Sequence, residues 1–410
     1  MVGSEPWLLP AGIEEILPEE AARLERVRRN LIDVFASWGY DLIIPPIIEY
    51  LSSLLTGTGS DLDLQTFKLT DQISGRLMGV RADMTPQAAR VDGHHLKRNI
   101  PVRLCYLGTV LHTRPDGISG SRSFLQVGAE LYGHTGIESD VEILSLMLET
   151  LATAGVKRVH LDIGHVGIYR GLVRQAGLSA EDETRVFDAL QRKARGDVDE
   201  LLAALVIPDP LRRMIAGLID LNGDEEVLSV ARTCLVQASE EVQQELDRLV
   251  DLALQLHRWI PEVPLHFDLA ELRGYHYHTG VVFGAFVPEH GQEIARGGRY
   301  DDIGKVFGRA RAATGFSTDL KALVRLAKES EDAPRATRGG ILAPYAPEAE
   351  LRHRVRALRA SGERVIYALP GQAVAARELG CDRTLRREAG TWVIRAVGHP
   401  RVGPGPEQQQ

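Results

Sequence analysis

The chain has 410 residues, of which 44% are hydrophobic and 25% charged, a composition typical of globular proteins with two or three domains. Its formal charge of −8 gives no overall electrostatic signature for nucleic acid, and no apolar stretch reaches the roughly 18 residues of a membrane span. The N-terminus lacks a signal-peptide pattern and the three cysteines form no CxxC pair, so we expect a cytoplasmic protein without membrane contact, disulfide framework or thiolate metal site.

The first predicted element is a helix that starts at Pro18. Apolar residues recur at helical spacing from Leu24 to Trp38, and Gly39 stands where a left-handed residue would end the helix. The next stretch, "DLIIPPIIEY" (41–50), reads as extended. Because its two prolines lack a backbone donor, we expect it at a sheet edge or an interface.

Strand patterns dominate as far as about residue 170, in "RLMGVRADMT", "VRLCYLGTVLHTR", "SRSFLQVGAELYG" and "VKRVHLDIGH", with a helix at about 138–154. Leucines and charges at helical spacing then predict a helical insertion at about 178–258. Strands resume in "VPLHFDLAELRGYHYHTGVVFGAF", and "GFSTDLKALVRLAKES" ends in a helix. Closely spaced strands with few helices between them favour an α+β domain with an antiparallel sheet.

Composition also predicts the domain limits. We expect a core domain at residues 1–328, a polar linker at 329–338 and a small α/β domain at 339–398. Residues 399–410 are polar and turn-rich, and we expect this tail to be disordered.

Several standard catalytic signatures are missing from the sequence. There is no GxxxxGK[ST] phosphate loop, no GxGxxG opening a helix after a strand, no HExxH and no GxSxG. Their absence argues against nucleotide hydrolysis by a phosphate loop, dinucleotide chemistry and zinc proteolysis.

The stretch "ELRGYHYHTG" (271–280) reads as a strand, whose period of two would place His276 and His278 on one face and Tyr275 and Tyr277 on the other. Two histidines need a third ligand to hold zinc, and only His266 is near in sequence. The other two interpretations are hydrogen-bonded aromatics on a half-buried sheet, and a polar pocket that includes Arg273 and binds a small anionic or zwitterionic ligand.

Two more stretches carry polar residues at spacings that would place them on the same face of an extended segment. Asp83 and Thr85 alternate on what reads as an extended segment, where they could hold an ammonium group or form a solvated edge. Gln126 and Glu130 lie at i and i+4 in an otherwise apolar strand. Because polar groups are costly to bury without partners, the second pair predicts a ligand or a hydrogen-bonded partner.

In this order the stretches resemble the catalytic core of class II aminoacyl-tRNA synthetases, and histidyl-tRNA synthetase most closely, over roughly residues 5–328. "GYDLIIPPIIEY" is similar to the dimer-forming first motif and "RADMT" to the amino-acid loop. "LGTVLHTRP" with "SRSFLQVGAE" resembles the second motif, "ELRGYHYHTG" the histidine-specific segment, and "ARGGRYDDI" with "ATGFSTDLKAL" the third. The resemblance implies an antiparallel sheet flanked by helices, with a helical insertion and a small C-terminal α/β unit.

The sequence departs from the synthetases where they handle ATP. The second motif of the family carries Phe-Arg-x-Glu, but residues 110–113 read Val-Leu-His-Thr; the third ends in Gly-Leu-Glu-Arg, but 319–322 read Asp-Leu-Lys-Ala. Leu111 and Ala322 therefore replace the two arginines that contact ATP. Losing both removes electrostatic stabilisation of the adenylation transition state, so we expect no catalytic residue and no ligase activity.

The amino-acid side of the pocket largely survives. Asp83 stands where the family has Glu, and His276 and His278 where it has Asp and Tyr. The resemblance implies a histidine site in which Asp83 and Thr85 bind the α-ammonium, Gln126 and Arg273 the carboxylate side, and Glu130, Tyr277 and His278 the imidazole.

A synthetase-like core that keeps histidine binding and loses ATP chemistry resembles the regulatory subunit of short-form ATP phosphoribosyltransferase. This family implies a dimer formed through residues 41–50 and a hetero-octamer with the short-form catalytic subunit. It also implies that the chain activates this catalytic subunit and binds L-histidine for feedback inhibition of the first step of histidine biosynthesis. The C-terminal unit is shorter than an anticodon-binding domain and has no evident basic surface, so we expect no tRNA partner, and no cofactor or metal. The alternatives are a divergent histidyl-tRNA synthetase and a structural paralogue with an empty pocket.

Overall fold

The computed structural model describes residues 7–56, 60–115, 120–272, 274, 275, 277–288, 290–329, 339–371 and 375–397. It divides into two compact units, the first extending to Ala333 and the second starting at Pro334. The predicted tail at 399–410, residues 330–338 of the predicted linker and the candidate site residue Arg273 lie outside the described residues. The predicted domain limits stay predictions.

Helices of the first unit flank its sheet and form the region predicted as an insertion. None of the described helices combines the length and apolar character needed to cross a membrane. The α-helices of this unit are α1 (Pro18–Ser37), α2 (Leu51–Leu54), α3 (Ser60–Gln65), α4 (Thr85–Arg90), α5 (Ile137–Thr153), α6 (Val166–Ala176), α7 (Ala180–Gln191), α8 (Arg195–Ala204), α9 (Asp209–Gly217), α10 (Glu226–Cys234), α11 (Glu240–Trp259) and α12 (Leu320–Glu329).

The strands of the first unit form two sheets. They are β1 (Asp41–Ile43), β2 (Ile48–Tyr50), β3 (Phe67–Thr70), β4 (Leu77–Val80), β5 (Val102–Leu111), β6 (Ser123–Tyr132), β7 (His160–His165), β8 (Asn222–Gly223), β9 (Leu265–Asp268), β10 (Val281–Val287), β11 (His290–Arg299) and β12 (Ala313–Asp319). Nine of them follow the order β1-β5-β6-β12-β11-β10-β7-β9-β8, and β2-β4-β3 form a small second sheet. The large sheet is antiparallel except for the pairs β1/β5 and β7/β9. The predicted α+β fold class is confirmed.

Helix α1 matches its prediction closely. Pro18 lies at its first turn, and Gly39 just beyond its end has a left-handed φ of +80°. Leu31 and Phe35 are buried, and the ring of Phe35 lies edge-on to Phe316 of β12 with centroids 6.4 Å apart. The apolar stripe read from the sequence therefore anchors α1 to the large sheet.

Residues 41–50 lie at a sheet edge, as their prolines predict. Strand β1 is the last strand of the large sheet and pairs with β5 alone. Ile44 is 86% exposed in the turn that follows, and Ile47 is 47% exposed. This edge thus presents apolar side chains to solvent in the isolated chain.

Two local predictions are wrong. The described residues between Gly274 and Tyr277 form a turn and not a strand, because Gly274 adopts φ +66° and its carbonyl accepts from the amides of Tyr277 and His278 at 2.7 and 2.8 Å. His276 lies outside the described residues. The alternation expected of a strand is therefore lost. Thr85 is not on an extended segment either: it begins α4, where Pro86 suits the first turn of a helix.

The second unit is a small α/β layer. Strands β13 (Gly340–Pro344), β14 (Val365–Ala368), β15 (Cys381–Glu388) and β16 (Thr391–Ala396) form a sheet in the order β14-β13-β15-β16. Helix α13 (Ala349–Ala360) connects the parallel strands β13 and β14. Its residues Leu351, Val355 and Leu358 join Ile341 and Leu385 in a separate core.

We predict that Phe35→Ala destabilises the first unit by about 3–5 kcal/mol, because it removes a fully buried ring from a packed core. Chemical unfolding followed by fluorescence measures this change. The matched control is Asp33→Ala on the exposed face of α1, which should change the free energy of unfolding by less than about 0.5 kcal/mol. A loss below about 1 kcal/mol in Phe35→Ala would show that α1 does not carry the core contact described.

Candidate functional site

A cavity of about 540 Å³ opens in the first unit, within the size range of small-molecule sites. Its inner wall is built by β6, β11 and β12, its rim by the turns at 274–278, and its outer wall by Phe187 and Asp188 of α7. Five of the seven predicted site residues line it, namely Asp83, Thr85, Glu130, Tyr277 and His278.

Glu130 lies on the inner wall and is 1% exposed. The hydroxyl of Tyr106 donates to its Oε1 at 2.8 Å, and the hydroxyl of Tyr300 donates to its Oε2. A Cβ on Gly315, the residue paired with Glu130 across β6 and β12, would lie 1.6 Å from Oε2. Only glycine at 315 leaves room for this carboxyl group.

Burial dominates the ionisation of Glu130. Desolvation raises the pKa of its carboxyl to about 8, against the opposing effect of the hydrogen bonds from Tyr300 and Tyr106. The neighbouring negative charge of Asp83 adds to the rise. A buried carboxyl that gains or loses its proton near neutral pH suits a ligand that itself carries a titratable donor.

A chain of hydrogen bonds links Glu130 to the loop before α4. Thr85 Oγ1 lies 2.9 Å from the hydroxyl of Tyr106, and Thr85 N donates to Asp83 Oδ1 at 3.0 Å. Gln126 Nε2 donates to the same Asp83 oxygen at 2.7 Å, and its Oε1 accepts from the amide of Met84. Gln126 thus holds Asp83, and both carboxyl groups, Asp83 and Glu130, line the cavity.

Tyr277 and His278 follow the turn at Gly274 into the same cavity. The Tyr277 ring stacks on Tyr300 with centroids 4.9 Å apart, and lies edge-on to His278 at 5.2 Å. The buried hydroxyl of Tyr277 and Nδ1 of His278 have no hydrogen-bond partner within the described part of the chain. Burial lowers the pKa of His278 to about 4, so this ring is neutral. The orphaned Tyr277 hydroxyl indicates space for a polar ligand atom.

Tyr275 also lines the cavity, but its contacts are with the helical region. Its ring packs on Phe187 of α7 at 4.9 Å and on Tyr169 of α6 at 5.4 Å, and its hydroxyl donates to Glu183. The cavity is therefore bordered by Tyr277, which stacks on Tyr300, and by Tyr275, which packs on α6 and α7.

Sequence reasoning missed two residues that hold the site, Tyr106 and Tyr300. Tyr106 faces Gly128 across β5 and β6, and its ring occupies the space that a side chain at 128 would need. Tyr300 directly follows β11 and is held by a bond from its amide to Ala313 O. Their only sequence signals are an apolar strand and the "GGRYDD" stretch, neither of which indicates a partner in another strand.

The region of the altered second and third motifs is filled by the chain itself. His112 is buried, with its ring 4.7 Å from Phe124 and Nε2 2.9 Å from Ala82 O. Lys321 is also buried, and its ammonium donates to Ser123 O. No arginine stands at Leu111, whose amide donates to Arg81 O. The charges that would stabilise a reacting triphosphate are absent from these positions.

Comparisons with known proteins agree with this division of the chain. Residues 12–323 match a family model described as histidyl-tRNA synthetase, and residues 338–395 match one described as the ATP phosphoribosyltransferase subunit HisZ C-terminal domain. Curated relatives named ATP phosphoribosyltransferase regulatory subunit include those of Thioalkalivibrio sulfidiphilus, 60% identical over 95% of this chain and 98% of the relative, and Alkalilimnicola ehrlichii, 57% identical over 95% and 97%.

Solved structures show the same fold. A Bacillus halodurans protein described as an ATP phosphoribosyltransferase regulatory subunit/histidyl-tRNA synthetase superposes with a TM-score of 0.80 at 27% identity, covering 92% of this chain and 96% of that one. The histidyl-tRNA synthetase of Nostoc sp. PCC 7120 gives 0.75 at 18% identity, covering 96% and 97%. The class II synthetase-like architecture expected from the sequence is confirmed.

The raised pKa of Glu130 predicts a pH-dependent stability. Relative to the unfolded chain, whose glutamate titrates near 4.5, this group stabilises the fold fully at low pH, and its contribution is lost as pH rises through about 8. Glu130→Gln cannot ionise, so between about pH 5 and 8.5 it should lose less stability than the natural chain, by on the order of 4 kcal/mol. Urea unfolding across this range measures the difference, and parallel stability profiles would contradict the assignment.

Proposed function

Because the chain belongs to the family of ATP phosphoribosyltransferase regulatory subunits, we propose that it binds free L-histidine in the cavity around Glu130 and transmits this binding to a catalytic subunit. It is a regulatory subunit and not a catalytic enzyme. The observation that supports histidine as the ligand is the buried carboxyl group of Glu130. Two tyrosine hydroxyls hold this group on the wall of a cavity of ligand size.

The proposed pose sets the imidazole against Glu130. An imidazole N–H donates to Glu130, and the ring lies beside the stacked pair Tyr277 and Tyr300. The orphaned Tyr277 hydroxyl and the neutral His278 offer further polar contacts at this end. A pocket that ends in a carboxyl group and aromatic rings favours imidazole over an aliphatic side chain, which could form no hydrogen bond with Glu130.

The α-ammonium is assigned to the loop that precedes α4. Asp83 and Thr85 line this part of the cavity, and Gln126 fixes the carboxylate of Asp83 by a 2.7 Å bond. We propose that Asp83 and Thr85 contact the ammonium group. The carboxylate side is assigned to Gln126 and Arg273 by resemblance alone.

Proton sharing strengthens the imidazole contact. Free imidazole titrates near 6.5 and Glu130 near 8, so between these values the empty site holds a protonated Glu130 while the free ligand is neutral. The bound pair then shares one proton without taking one from solvent or releasing one. Binding by this route favours neutral pH.

We propose that the regulatory subunit forms a dimer through the exposed apolar edge at residues 41–50, and assembles with short-form catalytic subunits into a hetero-octamer. The exposure of Ile44 and Ile47 supports the dimer surface. Histidine inhibits the enzyme if it binds one quaternary state better than another, and a coupling of about 1–3 kcal/mol would change affinity roughly 5- to 150-fold. No tRNA takes part in this proposal.

Feedback inhibition of the assembled enzyme should depend on Glu130. Glu130→Gln should weaken histidine binding at least tenfold, about what a charge-assisted hydrogen bond contributes, and raise the inhibitory concentration in parallel. Isothermal titration and the phosphoribosyltransferase assay measure the two effects. Glu181→Gln, an exposed carboxylate of α7, is the matched control and should leave both unchanged. Inhibition that persists at natural strength in Glu130→Gln would refute the proposed site.

A pyrophosphate-exchange assay distinguishes this function from that of a divergent synthetase. Histidine-dependent ATP–pyrophosphate exchange should stay at background, because Leu111, Thr113 and Ala322 supply no charge to a triphosphate. A histidyl-tRNA synthetase assayed alongside confirms the sensitivity. Exchange that rises with added histidine and is lost in Glu130→Gln would favour the ligase function.

A further inference from the structure

The second unit has a charge opposite to that of the whole protein. Residues 339–397 contain ten arginines, no lysine and six carboxylates, a formal charge of +4 in a chain whose total is −8. The expectation that this unit has no basic surface is therefore wrong. The second unit therefore attracts negatively charged partners, although the protein as a whole is acidic.

Strand arginines use most of the carboxylates of this unit. Arg383 of β15 pairs with Glu363 and Asp382. Arg387 pairs with Glu348 at 3.1 Å, and Arg395 of β16 pairs with Glu388.

Helix α13 concentrates arginines that are not paired with a carboxylate. Its arginines 352, 354, 356 and 359 are all exposed, and none forms an ion pair with a described residue. Arg352 and Arg359 donate only to the carbonyls of Pro347 and Val365. Like charges at i and i+4 destabilise a helix, so the arrangement costs stability in the isolated chain.

Three of these arginines form a stripe. Arg352, Arg356 and Arg359 lie at i, i+4 and i+7, about 6 and 4.5 Å apart along the helix axis, on one side of α13. Arg359 lies over the ring of Tyr367 at 5.4 Å. The stripe thus runs beside β14, the edge strand of the sheet.

Exposed apolar groups stand at the end of β14. Tyr345 is 63% exposed and its ring meets Tyr367 edge-on at 6.1 Å. Leu369, 51% exposed, lies next to it because Pro344 and Ala368 pair in the parallel strands just before. Six residues together form the arginine face: Arg352, Arg356, Arg359, Tyr345, Tyr367 and Leu369.

We propose that the arginine face docks onto a carboxylate-rich surface of the catalytic subunit. This inference rests on the proposed function for the existence of that partner, and adds where the partner is held and by which chemistry. The second unit is matched by the family model of an ATP phosphoribosyltransferase subunit, whereas the synthetase match ends at residue 323. The face therefore lies in the part of the chain that matches the family model specific to an ATP phosphoribosyltransferase subunit.

Composition favours a protein surface over nucleic acid. Arginine and tyrosine are enriched at the centres of protein interfaces and lysine is depleted, which agrees with a face of arginines and tyrosines in a unit without lysine. The total charge of −8 also repels a long polyanion. A carboxylate pairs with a guanidinium in a bidentate geometry that lysine cannot reproduce.

The test is association of the full-length chain with its catalytic subunit. Arg352→Gln combined with Arg356→Gln should weaken association about tenfold and flatten its dependence on salt between about 50 and 300 mM, because two charge pairs are lost. Arg359 is left intact, since it supports Tyr367. The matched control is Arg386→Gln with Arg395→Gln, which changes the net charge equally on the sheet face away from α13 and should alter association less than twofold. Histidine titration of each variant verifies an intact first unit.

Three results would overturn the inference. One is association of the α13 double variant within twofold of the natural chain. Another is equal weakening by the control, which would reduce the effect to net charge. The last is binding of a fluorescein-labelled twelve-nucleotide uridine RNA that the α13 variant loses while subunit association stays intact. Failure of the natural chain to associate at all would instead refute the proposed function, and a lack of histidine binding would refute the proposed ligand alone.

Discussion

The burial of one carboxyl group organises the first unit. Glu130 is out of contact with water on a central strand, so its two oxygens require donors that do not come from its own strand. Tyr106 supplies one from β5, and Tyr300 supplies the other from the end of β11. Glycines at 128 and 315 leave the room that these side chains occupy. The register of four strands is thereby tied to a single polar contact.

The same contact explains how the cavity wall can be intact although the charged groups that would handle a triphosphate are absent from positions 111, 113 and 322. The wall around Glu130 depends on tyrosines and glycines whose positions the sheet imposes, and that wall is intact. The neighbouring region contains neutral or self-satisfied groups, with the His112 ring against Phe124 and the Lys321 ammonium on a carbonyl. A site built in this way can recognise a ligand but cannot stabilise charge that develops on a phosphorus atom.

The turn at 274–278 connects this site to the helical region. Tyr277 stacks inside the cavity, while Tyr275 is held by Phe187 and by Arg170, which lies 4.7 Å from its ring centroid. Contacts with the cavity wall and contacts with α7 therefore share one short segment. In the second unit, three strand arginines, Arg383, Arg387 and Arg395, form ion pairs, whereas the arginines of α13 form none with a described residue.

Sequence by itself determined the elements whose signal is local and repeated. Helix α1 between Pro18 and Gly39, the edge position of 41–50 and the anomalous Glu130 in an apolar strand all follow from periodicity, proline chemistry or the cost of burying charge. The departures from the synthetase motifs at residues 110–113 and 319–322 could also be recognised from the sequence alone. Resemblance added the identity of the expected ligand, which no spacing in the chain implies.

Only the tertiary structure decided which side chains meet. The alternation of Tyr275 to His278 was misread as a strand, because a left-handed Gly274 converts the segment to turns and its tyrosines then follow tertiary packing. The extended segment predicted for Asp83 and Thr85 is also wrong, because Thr85 begins α4. Its contact with the hydroxyl of Tyr106 nevertheless brings it to the site. Tyr106, Tyr300 and Glu130 are separated by 24 and 170 residues, and pairing over such distances depends on strand register. Register is a property of the assembled sheet, so no local pattern could reveal that these three groups form one site.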